Sequence, residues 1–219
     1  MTKNFSTSRK NTVRQLRDKA RYDEETVHAV LDAGLVAHVS LGETPPVVVP
    51  MIYGRDGATL FLHGARKARV IRVLEAASEA CLNVTLIDGI VFARSAFNSS
   101  MNYRSATVFG APRLVEDRDE KLHAMRVISE HVMPGRWVEL RDPLEKEIKM
   151  TGVIELPIET ASAKISDGMP DDEEDDYAIS VWAGVLPVTT AAGELLDDDR
   201  LLPDAAPSAA ARAMRQHRY

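Results

Sequence analysis

Between residues 35 and 115 most apolar residues fall in short, strand-length runs bounded by turn-forming residues, and the first of these runs has a period of two. No other feature constrains the fold as much, because that period belongs to half-buried strands and not to helices. Leu35, Ala37, Val39 and Leu41 alternate with Val36, His38 and Ser40. A turn over residues 42–46 follows, then an apolar run over 47–53, a hairpin signal at Arg55-Asp56-Gly57, and a returning strand over 59–63. Further strands are expected at 80–87 and 90–95, divided by Asp88-Gly89, and from 104 to 115, where Pro112 marks an edge or bulge. Two more are expected at 152–158 and 161–166, and a last apolar run covers 177–188. Short strands with tight turns and few helices between them suit an antiparallel barrel better than alternating βαβ units.

Helical patterns are fewer. Asp23-Glu24-Glu25-Thr26 provides an N-cap and an acidic first turn, Val27, Val30 and Leu31 an apolar face, and Gly34 a stop. Residues 66–77 read as a helix with Val70, Ile71 and Leu74 on one side. After Asp117, the positions Leu122, Met125, Ile128, Ser129 and Val132 follow helical spacing up to Pro134-Gly135, and Asp142-Pro143-Leu144-Glu145 opens another helix. A chain of 219 residues, 45% of them hydrophobic, can bury a core without disulfides, and the lone Cys81 allows no internal one. The apolar runs are of strand length and the N-terminus is polar, which argues against a membrane span or secretory signal and for a cytoplasmic protein.

The expected organisation is a basic N-terminal arm (1–22), a folded domain (23–190) and a flexible tail (191–219) with a short helix near 207–218. The arm carries seven cations against Asp18, but apart from Phe5 and Tyr22 at its ends no aromatic residues are interleaved with them, so a solvated or partner-packed arm is favoured over nucleic-acid binding. Asp171–Asp176 is an unbroken acidic run, read as a solvated loop and not a metal site.

The chemistry concentrates at His63-Gly64-Ala65-Arg66-Lys67-Ala68-Arg69. A strand gives way here to a helix, whose free N–H groups and dipole attract anions. Cations in a first turn are unfavourable by some tenths of a kcal/mol each unless an anion sits among them. Arg66, Lys67 and Arg69 therefore mark either a phosphate site or an ordinary basic surface turn.

Phe61-Leu62-His63-Gly64-Ala65-Arg66-Lys67-Ala68, after Val48-Val49-Pro50-Met51-Ile52-Tyr53, resembles the FMN-binding split-barrel flavoproteins related to pyridoxamine 5′-phosphate oxidase. Tyr103-Arg104-Ser105-Ala106-Thr107-Val108-Phe109-Gly110 looks like that family's second barrel motif, and Trp182-Ala183-Gly184 like its late Trp-x-Gly. The resemblance covers roughly residues 25–190 and implies a mainly β, α+β fold, an FMN-binding split β-barrel with peripheral helices. It implies that Arg66 and Lys67 hold the FMN phosphate and that backbone groups of Val49, Pro50, Met51, Ile52 and Tyr53 meet the isoalloxazine edge. Leu62 and His63 would join the cofactor site, His63 near the ribityl chain or phosphate. Ser105, with Asn102, would reach the flavin ring, and Trp182 would pack near the cofactor in a homodimer.

Two departures define the subgroup. Val185-Leu186-Pro187-Val188 stands where the oxidase carries its arginine and histidine, which argues against pyridoxamine-phosphate oxidation. An apparent insertion over 88–103 is closer to the flavin-nucleotide-binding and nitroimidazole-resistance-type proteins. The expectation is an FMN-dependent oxidoreductase of unassigned substrate and catalytic residues. The alternatives are a non-catalytic flavin sensor and a haem-binding split barrel with a histidine ligand such as His63, and a deazaflavin would present a similar phosphate. His28, His38, His123 and His131 show no metal spacing, and Cys81 has no adjacent base.

Overall fold

The computed structural model describes residues 3–42 and 45–215. In chain order its elements are β1 (Ala20–Arg21), α1 (Glu24–Ala33), β2 (Val36–Leu41), β3 (Val47–Asp56), β4 (Thr59–Ala65), α2 (Arg69–Ala76), β5 (Ala80–Phe92) and β6 (Ser100–Gly110). There follow β7 (Arg113–Leu114), α3 (Arg118–Val132), α4 (Glu145–Met150), β8 (Thr151–Pro157), β9 (Thr160–Ser166), β10 (Gly184–Pro187) and α5 (Ala209–Met214). Antiparallel strands with peripheral helices give the α+β class expected of a split barrel. Glu43 and Thr44, within the turn expected over 42–46, and residues 216–218 of the expected C-terminal helix lie outside the described residues. No helix among the described residues is long and apolar enough to cross a membrane.

The chain forms two compact units. The first takes the chain up to Gly34, Asn83–Val108 and Thr160–Thr190; the second takes Leu35–Leu82, Phe109–Glu159 and the chain from Ala191 onward.

In the first unit the strand order is β1-β9-β6-β5, with β10 paired to β5. Asp23 caps α1 by accepting from the Thr26 N–H at 2.8 Å; the Thr26 side chain first, and then this N–H, hold its carboxyl below the usual range against burial, and Val27, Val30 and Leu31 are buried. The N-terminal segment, expected to be solvated or packed on a partner, is tied to its own chain. Ala20 and Arg21 pair with Lys164 and Ala163, Phe5 is buried, and the buried Asn11 amide donates to the Ala161 and Ser6 carbonyls at 3.0 Å each. A segment read as cationic thus carries one aromatic and one amide that satisfy a core.

Asp88-Gly89 makes no hairpin; β5 runs through it. Gly89 pairs with Pro187, the Val188 N–H bonds the Asp88 carbonyl at 3.0 Å, and the Asp88 carboxylate receives the Arg104 fork at 2.8 and 2.9 Å. A Cβ on Gly89 would lie 2.9 Å from the Val185 Cγ1, so this glycine serves close packing and not a turn. The expected insertion is accordingly mostly strand, with a loop over 93–99. The acidic run is also more than a solvated loop. Asp172 is buried; burial pushes its carboxyl up, but the Arg94 N–H and guanidinium, at 2.9 and 3.0 Å, outweigh this and hold it below the usual range.

In the second unit the order is β2-β3-β4-β8-β7. Asp56 pairs with Thr59 around Gly57, whose φ of 55° falls in the left-handed region, so the hairpin expected at Arg55-Asp56-Gly57 is present. Asp117 caps α3 by accepting from the Asp119 and Glu120 N–H groups at 2.9 and 3.0 Å. The buried face of α3 is Lys121, Ala124 and Ile128; of the expected Leu122, Met125, Ile128, Ser129 and Val132, Ile128 is buried and the others are half-buried. Ala124 and Ile128 pack with Phe61, Val115 and Val153. Gly54 permits this, since a Cβ there would come within 2.7 Å of the Val127–Ile128 backbone. The strand expected from 104 to 115 breaks at Ala111-Pro112 into β6 and β7. The helix expected from Asp142 starts later, at Glu145, with Glu147 accepting from the Leu144 N–H at 2.8 Å while the Arg141 fork grips it.

Candidate functional site

The β4–α2 connection lies wholly in the second unit. Strand β4 extends past His63, pairing His63, Gly64 and Ala65 with Val153, Gly152 and Thr151. The Arg66 N–H then bonds the Met150 carbonyl at 2.8 Å, and the Ala68 N–H bonds the Ala65 carbonyl at 2.8 Å, closing a tight turn. Helix α2 begins at Arg69, so Arg66 and Lys67 stand before it and not in its first turn as expected. Ala68 at the N-cap offers no side-chain acceptor, which leaves the first amides without a side-chain cap.

Two contacts fix this turn. Ile71 and Leu74, fully buried, seat α2, each contributing roughly 1.5–3 kcal/mol of burial. At Gly152 the fit is tightest: a Cβ would meet the Ile71 Cγ2 at 2.7 Å and the Arg66 Cα at 3.2 Å. Glycine in β8 is what lets the Arg66 backbone lie this close to the sheet.

The cations divide. Arg66 donates both arms of its fork to Glu75 at 2.9 and 3.0 Å, both side chains being about one-third exposed. Lys67 is exposed and makes no ion pair among the described residues; neither does Arg72, one turn into α2. His63 is half-buried, its Nδ1 fully enclosed with no hydrogen-bond partner among the described residues. Burial pushes its pKa below 6.5, which keeps the imidazole neutral at pH 7 and leaves it able to accept a proton, a hydrogen bond or a metal.

Val49, Pro50, Met51, Ile52 and Tyr53 lie along β3 in the same unit. Met51 and Tyr53 turn inward, with the Tyr53 ring 4.7 Å from that of His131 and fully buried; Pro50 and Ile52 turn outward. Leu62 is also fully buried, so Met51, Tyr53 and Leu62 have only backbone to offer a ligand. Pro50, lacking an N–H, can offer only its carbonyl.

Asn102, Ser105 and Trp182 belong to the first unit. Asn102 is buried on β6 and donates through Nδ2 to the Gly168 carbonyl at 3.0 Å. Ser105, half-buried, makes no side-chain hydrogen bond among the described residues. Trp182 is 68% exposed, with its ring 5.6 Å from Phe92 and tilted to it; a Cβ on Gly184 would strike the indole at 2.9 Å. The expected set therefore divides between the units, with the phosphate turn, β3, Leu62 and His63 together in the second. Glu75 and Gly152 shape the turn yet escaped the sequence reading. An arginine and an acid nine positions apart, across a turn and a helix, carry no local signal of pairing. Among the described residues no group of three or more His, Cys, Asp or Glu side chains could hold a metal ion.

The geometry can be set against known proteins. A family model described as pyridoxamine 5′-phosphate oxidase matches residues 23–165. The flavocytochrome Anf3 from Azotobacter vinelandii is 37% identical, with a TM-score of 0.90 over 96% of this chain and 98% of its own. The FAD and haem binding protein from Mycobacterium smegmatis is 34% identical, with a TM-score of 0.86 over 90% of this chain and 98% of its own. A Bacteroides thetaiotaomicron protein, provisionally assigned to 5-nitroimidazole antibiotic resistance, shares the fold at 22% identity and a TM-score of 0.57, over 67% of this chain and 86% of its own. None of the curated proteins compared matches the chain. With the model covering most of the chain and two relatives above 30% identity over nearly all of it, the chain belongs to the pyridoxamine 5′-phosphate oxidase family.

Proposed function

We propose that this protein binds a flavin nucleotide and works as a flavin-dependent oxidoreductase, with the flavin phosphate held at the Arg66–Lys67 turn. The observation that carries this reading is the turn itself. It sets Lys67 without a counter-ion, Arg66 with a fork that can be shared, and the uncapped start of α2 within four residues. A phosphate supplies what such a turn lacks, a negative charge with several acceptor oxygens. Strand β3 fits the rest of an isoalloxazine site through its backbone, since its inward side chains are committed to the core. FMN is the smallest flavin nucleotide that carries the phosphate this turn would hold. The FAD named for the Mycobacterium relative contains the same half, so mass analysis of the released cofactor separates the two. The flavin supplies hydride or electron transfer; the chain's own residues bind and orient it. With Val185–Val188 in place of the oxidase's basic residues, the substrate is not pyridoxamine phosphate.

A second cofactor, haem, is favoured by the same two relatives, described as a flavocytochrome and as an FAD and haem binding protein. His63 fits a ligand role on chemistry, since burial keeps its imidazole neutral at pH 7 and, with Nδ1 enclosed, Nε2 is the nitrogen that a haem iron would meet. The protein would then act as a homodimer that passes electrons between a flavin and a haem. Reduction of the bound flavin by NADH or NADPH, followed by reoxidation by an acceptor, supports the oxidoreductase. A flavin that stays oxidised with every donor leaves a storage or sensing role. A Soret band on haem titration that is lost in His63→Ala supports the haem reading, and its absence removes it.

A further inference from the structure

The first unit contains a second concavity, of about 610 Å³, that neither the phosphate turn nor β3 enters. Its floor is Val91 and Asn102, which are buried, with Ser166, whose hydroxyl is taken by the Lys19 ammonium at 3.0 Å. Its rim carries Phe97, 92% exposed, and Met169, 76% exposed, two large apolar side chains with nothing packed over them. Large apolar groups left in water around a polar floor mark binding clefts.

Asn102 sets the chemistry. It is 8% exposed, and its Nδ2 faces the Gly168 carbonyl, which can only accept. The other amide atom is therefore the oxygen, and no hydrogen bond reaches it among the described residues. It is not one of the fully enclosed atoms, so this acceptor opens on the cavity and is available to a donor carried by a ligand. The charges of the lining lean the same way. Asp18, Asp167 and Asp171 stand against Lys19 and Arg21, an excess of one acid, and Asp167 and Asp171 make no ion pair among the described residues.

We propose that this cavity binds a planar organic cation or amine-bearing ring, donating N–H to the Asn102 Oδ1, stacked under Phe97 and Met169 and drawn in by Asp167 and Asp171. The site lies within one unit; Asn102, which the family resemblance sets at the flavin ring, is the residue the two readings share, and flavin content separates them.

Benzamidine, benzamide and benzoate, nearly the same in shape but cationic, neutral and anionic, are the probes, titrated by calorimetry into the protein as purified. Benzamidine is expected to bind with a dissociation constant tighter than about 1 mM, benzamide more weakly and benzoate not at all. Asn102→Ala is expected to weaken benzamidine about tenfold, the worth of one hydrogen bond. Asp167→Asn with Asp171→Asn, both exposed and foldable, is expected to weaken it severalfold and to flatten its salt dependence. Flavin content is read for each variant. Equal binding of benzoate and benzamidine overturns the proposal, as does a double Asn variant that binds benzamidine like the parent. Loss of flavin alongside loss of benzamidine binding in Asn102→Ala also overturns it, by making the cavity part of the flavin site. If Asn102→Ala does not fold, the double Asn variant alone decides.

Discussion

Arg66 can face either of two acids, and the choice sets how the turn responds to a ligand. Without one, its fork lies on Glu75. A bound phosphate would sit near that carboxylate, and like charges repel. Glu75→Gln is therefore expected to tighten flavin binding severalfold by releasing the fork, as read by equilibrium titration of the apoprotein; weaker binding would instead make Glu75 a positioning residue that aims Arg66. His63 gives a second residue-scale outcome through pH. Its proton is resisted in the fold by burial, whereas the unfolded chain takes it up near pH 6.5. Below that pH the unfolded state binds more protons and stability falls; above it the difference vanishes. Urea midpoints measured from about pH 7.5 to 5.5 should drop more for the parent than for His63→Gln. Parallel curves would mean that the imidazole is not enclosed.

Among the elements, α2 and β8 carry the site, and their contact is close enough to test with one methyl group. Gly152→Ala must push Ile71 or the Arg66 backbone outward, an overpacking cost of about 1–3 kcal/mol. The expected result is a lower melting temperature together with weaker flavin retention, whereas Gly64→Ala, at an ordinary 3.4 Å from Ile71, should change little. Equal behaviour of the two variants would show that the turn does not depend on this approach. Elements such as these were partly legible in the sequence. The β2–β3–β4 meander followed from its strand-length apolar runs and from Gly57, α1 from its aspartate cap and α3 from its helical spacing, because those signals are local. What misled was local chemistry overruled at a distance. Asp88-Gly89 has the residues of a hairpin, but β10 and Arg104 claim both of them. The α3 face keeps the expected Ile128 but is completed by Lys121, which buries its stem and sends its ammonium to the Ile148 carbonyl at 3.4 Å, so a lysine is buried where Leu122 is only half-buried. At the candidate site, the cations of the turn could be read from sequence, and the fork on Glu75 and the approach at Gly152 could not.

At the scale of the whole molecule, the outward face of the β2–β3 ladder carries Val36 opposite Ile52, His38 opposite Pro50 and Ser40 opposite Val48, with Val36, Val48 and Ile52 exposed. An apolar sheet face of that kind suits the homodimer proposed above. Ile52→Lys, outward-facing and therefore harmless to the fold, is expected to shift sedimentation from dimer to monomer; an unchanged dimer would move the interface elsewhere. The central claim is the flavin at the Arg66–Lys67 turn, and the most direct measurement is the absorption spectrum of the protein as purified, with mass analysis of what heat releases. The expected result is a yellow protein with both flavin bands, an FMN or FAD mass in the supernatant, and loss of colour in Arg66→Ala/Lys67→Ala with its melting temperature otherwise kept. A colourless protein that takes up neither FMN nor FAD, or a double variant that holds its flavin as tightly as the parent, would contradict it.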